Sequence, residues 1–217
     1  MIIAIDGGAA TGKSATAKLL ANKLNYIHLN SGLLYRAFTY VYFIDNKLSH
    51  LDSIDITIFE NFSIKMSGDN LDEIICNNSN ITKYLYNKNI TNYINLISNN
   101  VIIRNKINKI QQNIVKDKNI VCEGRDIGTV VFPKAQYKFF LTADINVRVK
   151  RRYEQYSKNN INISKKEVQK MIVKRDENDI NRKNSPLIKA NDAIVIDTSN
   201  MSIKEQVIYI YNKIKMG

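Results

Sequence analysis

Short β-branched runs alternate with helix-spaced apolar stripes along most of this chain. Residues 2–5 form one such run, followed by a glycine-rich turn. Behind it Ala15, Leu19, Leu20 and Leu24 recur at helical spacing, which predicts strand, loop and helix in that order. Residues 26–29 predict a second strand. After Ser31-Gly32, the positions Leu34, Ala37, Phe38, Val41 and Tyr42 mark a second helix, with Ser31 able to cap its start. From about residue 53 to residue 89 the pattern breaks up. Ile64 and Met66 alternate with polar residues, residues 67–70 read Ser-Gly-Asp-Asn, a turn signal, and residues 73–76 predict another strand. This stretch is expected to be a small, partly β insertion.

Two weakly amphipathic helices are predicted over 90–99 and 102–115. Strand character returns at 119–122 and again at 137–141, where apolar residues occupy both faces, as in a parallel strand covered by helices. A basic stretch, 146–182, holds two helical segments separated by 159–164, and its polarity suits a flap that opens to solvent. A strand at 193–196 and a helix at 203–214 complete the pattern. Strands alternating with helices predict an α/β fold, a parallel sheet flanked by helices and joined by right-handed crossovers.

Composition narrows the picture. A chain of 217 residues that is 44% hydrophobic can bury one principal core. Lys and Arg number 32 against 20 Asp and Glu, so the net charge of +12 draws polyanions: nucleic acid, acidic lipid or nucleotide phosphates. No strongly basic tail favours nucleic acid among these. Cys76 and Cys122 lack metal-ligand spacing and are expected to be reduced, structural residues. The start of the chain lacks the character of a signal peptide, and no apolar stretch is long enough for a bilayer, so a cytoplasmic protein with no membrane partner is expected.

Gly7-Gly8-Ala9-Ala10-Thr11-Gly12-Lys13-Ser14 matches the phosphate-binding pattern G-x-x-x-x-G-K-[ST] in full, between a predicted strand and a predicted helix. Gly7 and Gly12 let backbone N–H groups turn inward toward phosphate oxygens, and the helix start adds further unpaired N–H groups. Lys13 is expected to reach between the β and γ phosphates, and Ser14 to coordinate Mg²⁺ through its hydroxyl. A turn that merely joins strand to helix has no need of Lys and Ser directly after Gly12.

The acceptor is harder to read. No base-reading N-K-x-D of a GTPase is present, and the strand at residue 120 ends in Glu123-Gly124-Arg125-Asp126 rather than in an apolar run closing on a Walker B aspartate. Strand ends face the ligand crevice in α/β folds. Arg125 there can clamp an acceptor phosphate, and Asp126 can accept from a base amino group or organise metal-bound water, although a surface ion pair would use the same residues. Arg36, one turn into the second helix, can grip a phosphate with its rigid fork. Tyr35 suits packing as well as ligand contact. Spacing alone marks Arg104 as an ordinary solvated arginine. Residues 174–182 interleave acids and bases: Arg175 and Arg182 can fold over transferring phosphates, with Asp179 on a ribose hydroxyl or holding an arginine. An exposed, salt-bridged helix is the plainer alternative. Arg148, Arg151 and Arg152 are candidates for the same lid or its hinge. His28 and His50 sit in no motif, and transfer between phosphates needs no histidine base.

Together these segments resemble the bacterial cytidylate kinases of the nucleoside monophosphate kinase family. The resemblance spans nearly the whole chain: IDGGAATGKS, LNSGLLYR, CEGRDIGTVVFP, KRDENDINRKNSPL and AIVIDTSNMSIKEQV. It implies a three-layer P-loop kinase fold of one unit, with core 1–52, 90–150 and 183–217, a monophosphate-binding insertion at about 53–89 and a lid at 151–182. It also implies transfer from Mg·ATP to CMP or dCMP, giving ADP with CDP or dCDP, by a monomer with no nucleic-acid partner. Ser31 and Arg36 resemble acceptor-site residues, with Arg36 on the CMP phosphate. Arg104 and Asp126 resemble the pair that reads the cytosine edge, and Arg125 a phosphate ligand. Arg175 and Asp179 resemble contacts to the CMP sugar, and Arg182 a phosphate-binding arginine that closes over the site.

The chain departs from the family at two positions. Gly8 stands where many relatives have proline, which loosens the loop without removing a ligand. Asn95 stands where a base-contacting serine is expected, with Ser98 the alternative under a shifted helix register. A kinase acting on UMP, AMP or shikimate is the nearer competing reading, and a nucleic-acid-binding ATPase the more distant one.

Overall fold

The computed structural model describes residues 1–45, 56–60, 62–68 and 71–216. The chain divides into two compact units, one of residues 1–26 with 119–217 and one of residues 27–118.

In the first unit four parallel strands lie in the order β6-β1-β7-β8. They are β1 (Ile2–Gly7), β6 (Ile120–Gly124), β7 (Tyr137–Thr142) and β8 (Ile194–Asp197). β1 pairs with both β6 and β7, placing Asp6 beside Gly124 and Gly7 beside Leu141. β7 in turn pairs with β8. This is the α/β arrangement the alternating pattern predicts, and β7 is interior to the sheet as its two apolar faces require.

One face of this sheet is covered by α1 (Lys13–Leu24) and α7 (Ile203–Met216). Ile3, Ile5, Val121, Phe139, Leu141 and Ile196 from the strands meet Ala17, Leu20 and Ala21 of α1 and Val207, Ile210 and Ile214 of α7. The buried stripe of α1 is therefore rotated from the expected one, since Leu19 is 44% exposed while Thr16 and Ala17 are fully buried. Polar pairing explains the rotation: the Thr16 hydroxyl donates to Gln206 Oε1 at 2.6 Å, a bond between two fully buried side chains that an apolar pattern does not reveal. α1 stops where Asn25 enters the left-handed region at φ +57°.

The basic stretch forms α5 (Ile145–Lys158) and α6 (Lys165–Asn181). Asp144 caps α5 by accepting from the Asn146 amide, and Ser164 with Glu167 forms a reciprocal capping box on α6. Val149, Val168 and Ile172 pack together between these helices.

The second unit contains β2 (Ile27–Asn30), α2 (Ser31–Tyr40), α3 (Lys88–Asn99) and α4 (Val101–Ile114). It also holds an antiparallel sheet of β3 (Ile64–Ser67), β4 (Glu73–Cys76) and β5 (Ser79–Asn80). The alternation at Ile64 and Met66 falls in β3 and the strand predicted at 73–76 is β4; β5 is too short to carry a pattern. The predicted turn at 67–70 lies partly outside the described residues, and His50 lies wholly outside them. Leu34, Ala37, Phe38, Val41 and Tyr42 enter the apolar core of this unit, as their spacing requires. The residue at the N-cap of α2 is Asn30, so Ser31 begins the helix instead of capping it. Asn87 caps α3 and Asn100 caps α4, so asparagines that weaken helix interiors here serve helix starts.

Candidate active site

The loop between β1 and α1 has the form that its glycines dictate. Gly7, at φ +147°, passes so close to β7 that a Cβ would lie 2.2 Å from the Leu141 carbonyl oxygen. Gly12 has φ +98° and stands at the N-cap of α1 with no capping side chain, which leaves the first helix amides for an external acceptor. The Lys13 ammonium folds over the loop and donates to the Gly8 carbonyl at 2.6 Å; the Thr11 hydroxyl donates to the same carbonyl at 3.1 Å. Lys13 is 5% exposed. Burial holds its ammonium well below the ordinary lysine range, and the nearby Arg125 and Arg175 push it the same way, against Glu123. Buried like charges of this kind are stabilised by an anionic ligand.

Ser14 brings in a residue that the motif reading passed over. Its hydroxyl donates to Glu123 Oε1 at 2.7 Å. Glu123 is buried at the end of β6, the neighbour of β1. The apolar run closing on an aspartate that would mark a Walker B strand is absent there; the three apolar residues Ile120-Val121-Cys122 lead into a glutamate. A hydroxyl and a carboxylate in contact form a hard-oxygen pair suited to Mg²⁺. Among the described residues no group of three or more His, Cys, Asp or Glu is placed to hold a metal ion.

The turn after β6 and the end of α6 interlock. Arg125 Nε donates to Asp179 Oδ2 at 2.7 Å. Arg182, just past α6, lies 3.4 Å from Asp126 and 3.7 Å from Asp179. Neither segment is the solvated ion-pair surface that remained open from sequence, since Asp126, Asp179 and Arg182 are all buried. Burial alone would raise the Asp179 carboxyl, but Arg125 and then Arg175 outweigh it and hold it below the usual aspartate range. Arg152 on α5 is lowered by burial and further by Arg125. Arg151 instead binds the Thr198 carbonyl at 2.6 Å and the Met201 carbonyl at 3.2 Å, a structural tie. The turn itself hangs on Asp6, whose two oxygens accept from the amides of Ile127 at 2.9 Å and Gly128 at 2.7 Å.

In the second unit Arg36 Nη1 donates to the Leu85 carbonyl at 2.9 Å and to the Thr91 hydroxyl at 3.3 Å, with Tyr86 alongside. Arg104 is 2% exposed, so the solvated arginine expected from spacing is overturned. Its guanidinium lies 5.2 Å from the centre of the Tyr35 ring and donates to the Ser98 carbonyl at 2.9 Å. The Ser98 hydroxyl donates to the Asn95 carbonyl at 3.2 Å. Asn95, Ser98 and Arg104 thus form one connected group across the α3–α4 junction. Ser31 and His28 are buried.

The cytidylate kinase family model matches residues 3–216. The cytidylate kinase of Flavobacterium psychrophilum is 42% identical over 214 residues, covering 94% of this chain and 93% of that protein. That of Fusobacterium nucleatum is 36% identical over 216 residues, covering 99% and 97%. Among solved structures, an uncharacterized protein from Eubacterium ventriosum aligns over 100% of this chain and 99% of its own at TM-score 0.54 and 16% identity, a likeness of fold. No helix among the described residues is long and apolar enough to cross a membrane. With the family match running from β1 through α7 and relatives of comparable length above a third identical, the chain belongs to the cytidylate kinase family.

Proposed function

We propose that this protein transfers the γ-phosphoryl group of ATP to CMP and dCMP, giving ADP with CDP or dCDP. The observation that carries the reading is the interlock of Arg125 with Asp179 and of Arg182 with Asp126 in the unit that holds Lys13. It gathers arginines and buried carboxylates in the same unit as the loop that carries Lys13.

The loop from Gly7 to Ser14, with Gly8, Ala9, Ala10, Thr11 and Gly12 between, receives the triphosphate. An oxygen of the acceptor phosphate forms a bond to the γ phosphorus as the bond from that phosphorus to the β–γ bridging oxygen breaks, and the electron pair leaves on ADP. Lys13 neutralises charge on the leaving side; Arg125, Arg175 and Arg182 do so for the group in transit. No proton need be abstracted, because a nucleotide monophosphate is largely ionised near neutral pH. Ser14 and Glu123 would hold Mg²⁺, which when bound would screen the phosphate charges.

For the acceptor, Arg36 takes the phosphate and Ser31 supports it, while Arg175 and Asp179 take the sugar. Asp126 accepts from the cytosine 4-amino group, Arg104 donates to its acceptor edge, and Asn95 supplies an amide where a serine is expected. Uracil presents a carbonyl where Asp126 needs a donor. An unpaired buried group costs roughly 1 to 3 kcal/mol, enough for about tenfold preference or better. Residues 53–89 act as the monophosphate-binding insertion and 151–182 as the lid, in a cytoplasmic monomer.

A steady-state panel of CMP, dCMP, UMP, AMP and shikimate with Mg·ATP tests the assignment. CMP and dCMP are expected to give the highest kcat/KM. Faster turnover of UMP or AMP would overturn it, and stimulation of ATP hydrolysis by RNA or DNA would favour the nucleic-acid reading.

A further inference from the structure

The phosphate loop is tied to the α5–α6 hairpin by a contact that none of the roles above uses. Asp176, on α6, accepts through Oδ1 from the backbone N–H of Ala9 at 2.8 Å. Its other oxygen pairs with Arg148 Nη1 on α5. The same Arg148 nitrogen donates back to the Ala9 carbonyl at 3.3 Å. The amide and the carbonyl of one loop residue are thereby held by two charged side chains from consecutive helices, each about 15% exposed.

Packing reinforces the tie. Ala9 is 2% exposed and shares an apolar cluster with Val149 of α5 and Val168 and Ile172 of α6, with Ala10 against its edge. Ala9 is thus a knob in the hairpin's own core, with Ala10 at its edge. Gly8 completes the fit, because a Cβ there would lie 3.1 Å from Asp176 Oδ2 and 3.2 Å from Arg148 Nη1. A glycine at this position leaves room for the clamp.

Asp176 directly follows Arg175 and lies one helical turn before Asp179. Anchoring residue 176 on Ala9 therefore fixes, within the rise of a single turn, where Arg175 and Asp179 stand relative to the loop that carries Lys13. Charge from Arg175 already reaches Lys13. We infer that Asp176, oriented by Arg148, is a positioning residue of the transfer reaction: it sets the register of the arginine-bearing helix on the phosphate loop. Displacement of such a helix by about 1 Å is enough to slow transfer on the order of a hundredfold.

The inference rests on the proposed kinase reaction, and the test separates the two. Asp176→Ala, Asp176→Asn, Arg148→Met and the Asp176→Ala/Arg148→Met double variant are assayed with Mg·ATP and whichever acceptor of the panel the parent turns over best. Asp176→Ala is expected to lower kcat by roughly tenfold to a hundredfold while KM for ATP moves less than about threefold. Asp176→Asn, which keeps an oxygen for the Ala9 amide, should recover much of the rate, and the double variant should be no slower than the worse single. Amide hydrogen exchange at Ala9 should speed up in Asp176→Ala whatever the acceptor, so failure of the CMP assignment alone leaves this result standing. A raised KM for ATP at unchanged kcat, additive losses in the double variant, or unchanged exchange at Ala9 would each overturn the positioning role.

Discussion

The hydroxyl of Ser14 donates to the carboxylate of Glu123 across 2.7 Å, joining the start of α1 to the end of β6. If this pair holds the metal, removing its charge must show in the metal requirement. Glu123→Gln is expected to raise the Mg²⁺ concentration for half-maximal rate by roughly tenfold or more. A Mg²⁺ titration at saturating ATP and acceptor measures this, and an unchanged midpoint would remove Glu123 from the metal site.

Asp179 neutralises Arg125 in a largely buried pair, 2.7 Å apart with side chains 16% and 9% exposed. Asp179→Ala leaves the guanidinium buried without that partner and should destabilise the fold by about 3 kcal/mol. Its carboxyl is held below the ordinary aspartate value by Arg125 and Arg175. The pair's stabilisation is therefore present above that ordinary value and fades as pH falls through the depressed folded one. Urea unfolding of parent and variant should converge in strong acid and diverge toward neutrality.

Asp6 behaves in the opposite sense. Burial lifts its carboxyl from 3.8 to about 6, against the pull of the Gly128 and Ile127 amides. The folded state then binds the proton more tightly than the unfolded one, so this term favours folding below 3.8 and is lost as pH rises through about 6. Relative to Asp6→Asn, the parent should lose on the order of 3 kcal/mol over that interval. A stability difference that stays constant with pH would contradict this.

Asp126→Ala should erode discrimination between CMP and UMP by about tenfold while leaving ATP affinity nearly intact. Competition kinetics with both acceptors present give the ratio directly. Retained discrimination would move base recognition to Arg104 and Asn95 alone.

Much of this was legible in the residues. Alternation of β-branched runs with helical stripes gave the strand and helix order, since each element buries a face whose period survives in sequence. The phosphate loop was legible because its glycines and Lys13 have few other uses. Glu123 was missed because the expected acid was an aspartate, and a glutamate reaches Ser14 with one more methylene. The rotated face of α1 was hidden because Thr16 and Gln206 are polar residues buried against one another. Arg104 looked solvated because nothing local reveals that Tyr35, far away in sequence, lies beside its guanidinium. The Asp176 clamp was invisible for a similar reason: it joins residues 9, 148 and 176, and only folding brings them together.

Both cysteines are buried and free, Cys76 at 6% exposure and Cys122 at none. Burial pushes the Cys122 thiol up, and the neighbouring acids Asp6, Glu123 and Asp126 push it further. Such a sulfur stays protonated and unreactive toward maleimides and mild oxidants. Fluorophores or spin labels attached at newly introduced surface cysteines on α5 or α6 would therefore report from their chosen positions with the native thiols left in place, so whether the hairpin moves during turnover becomes a direct measurement.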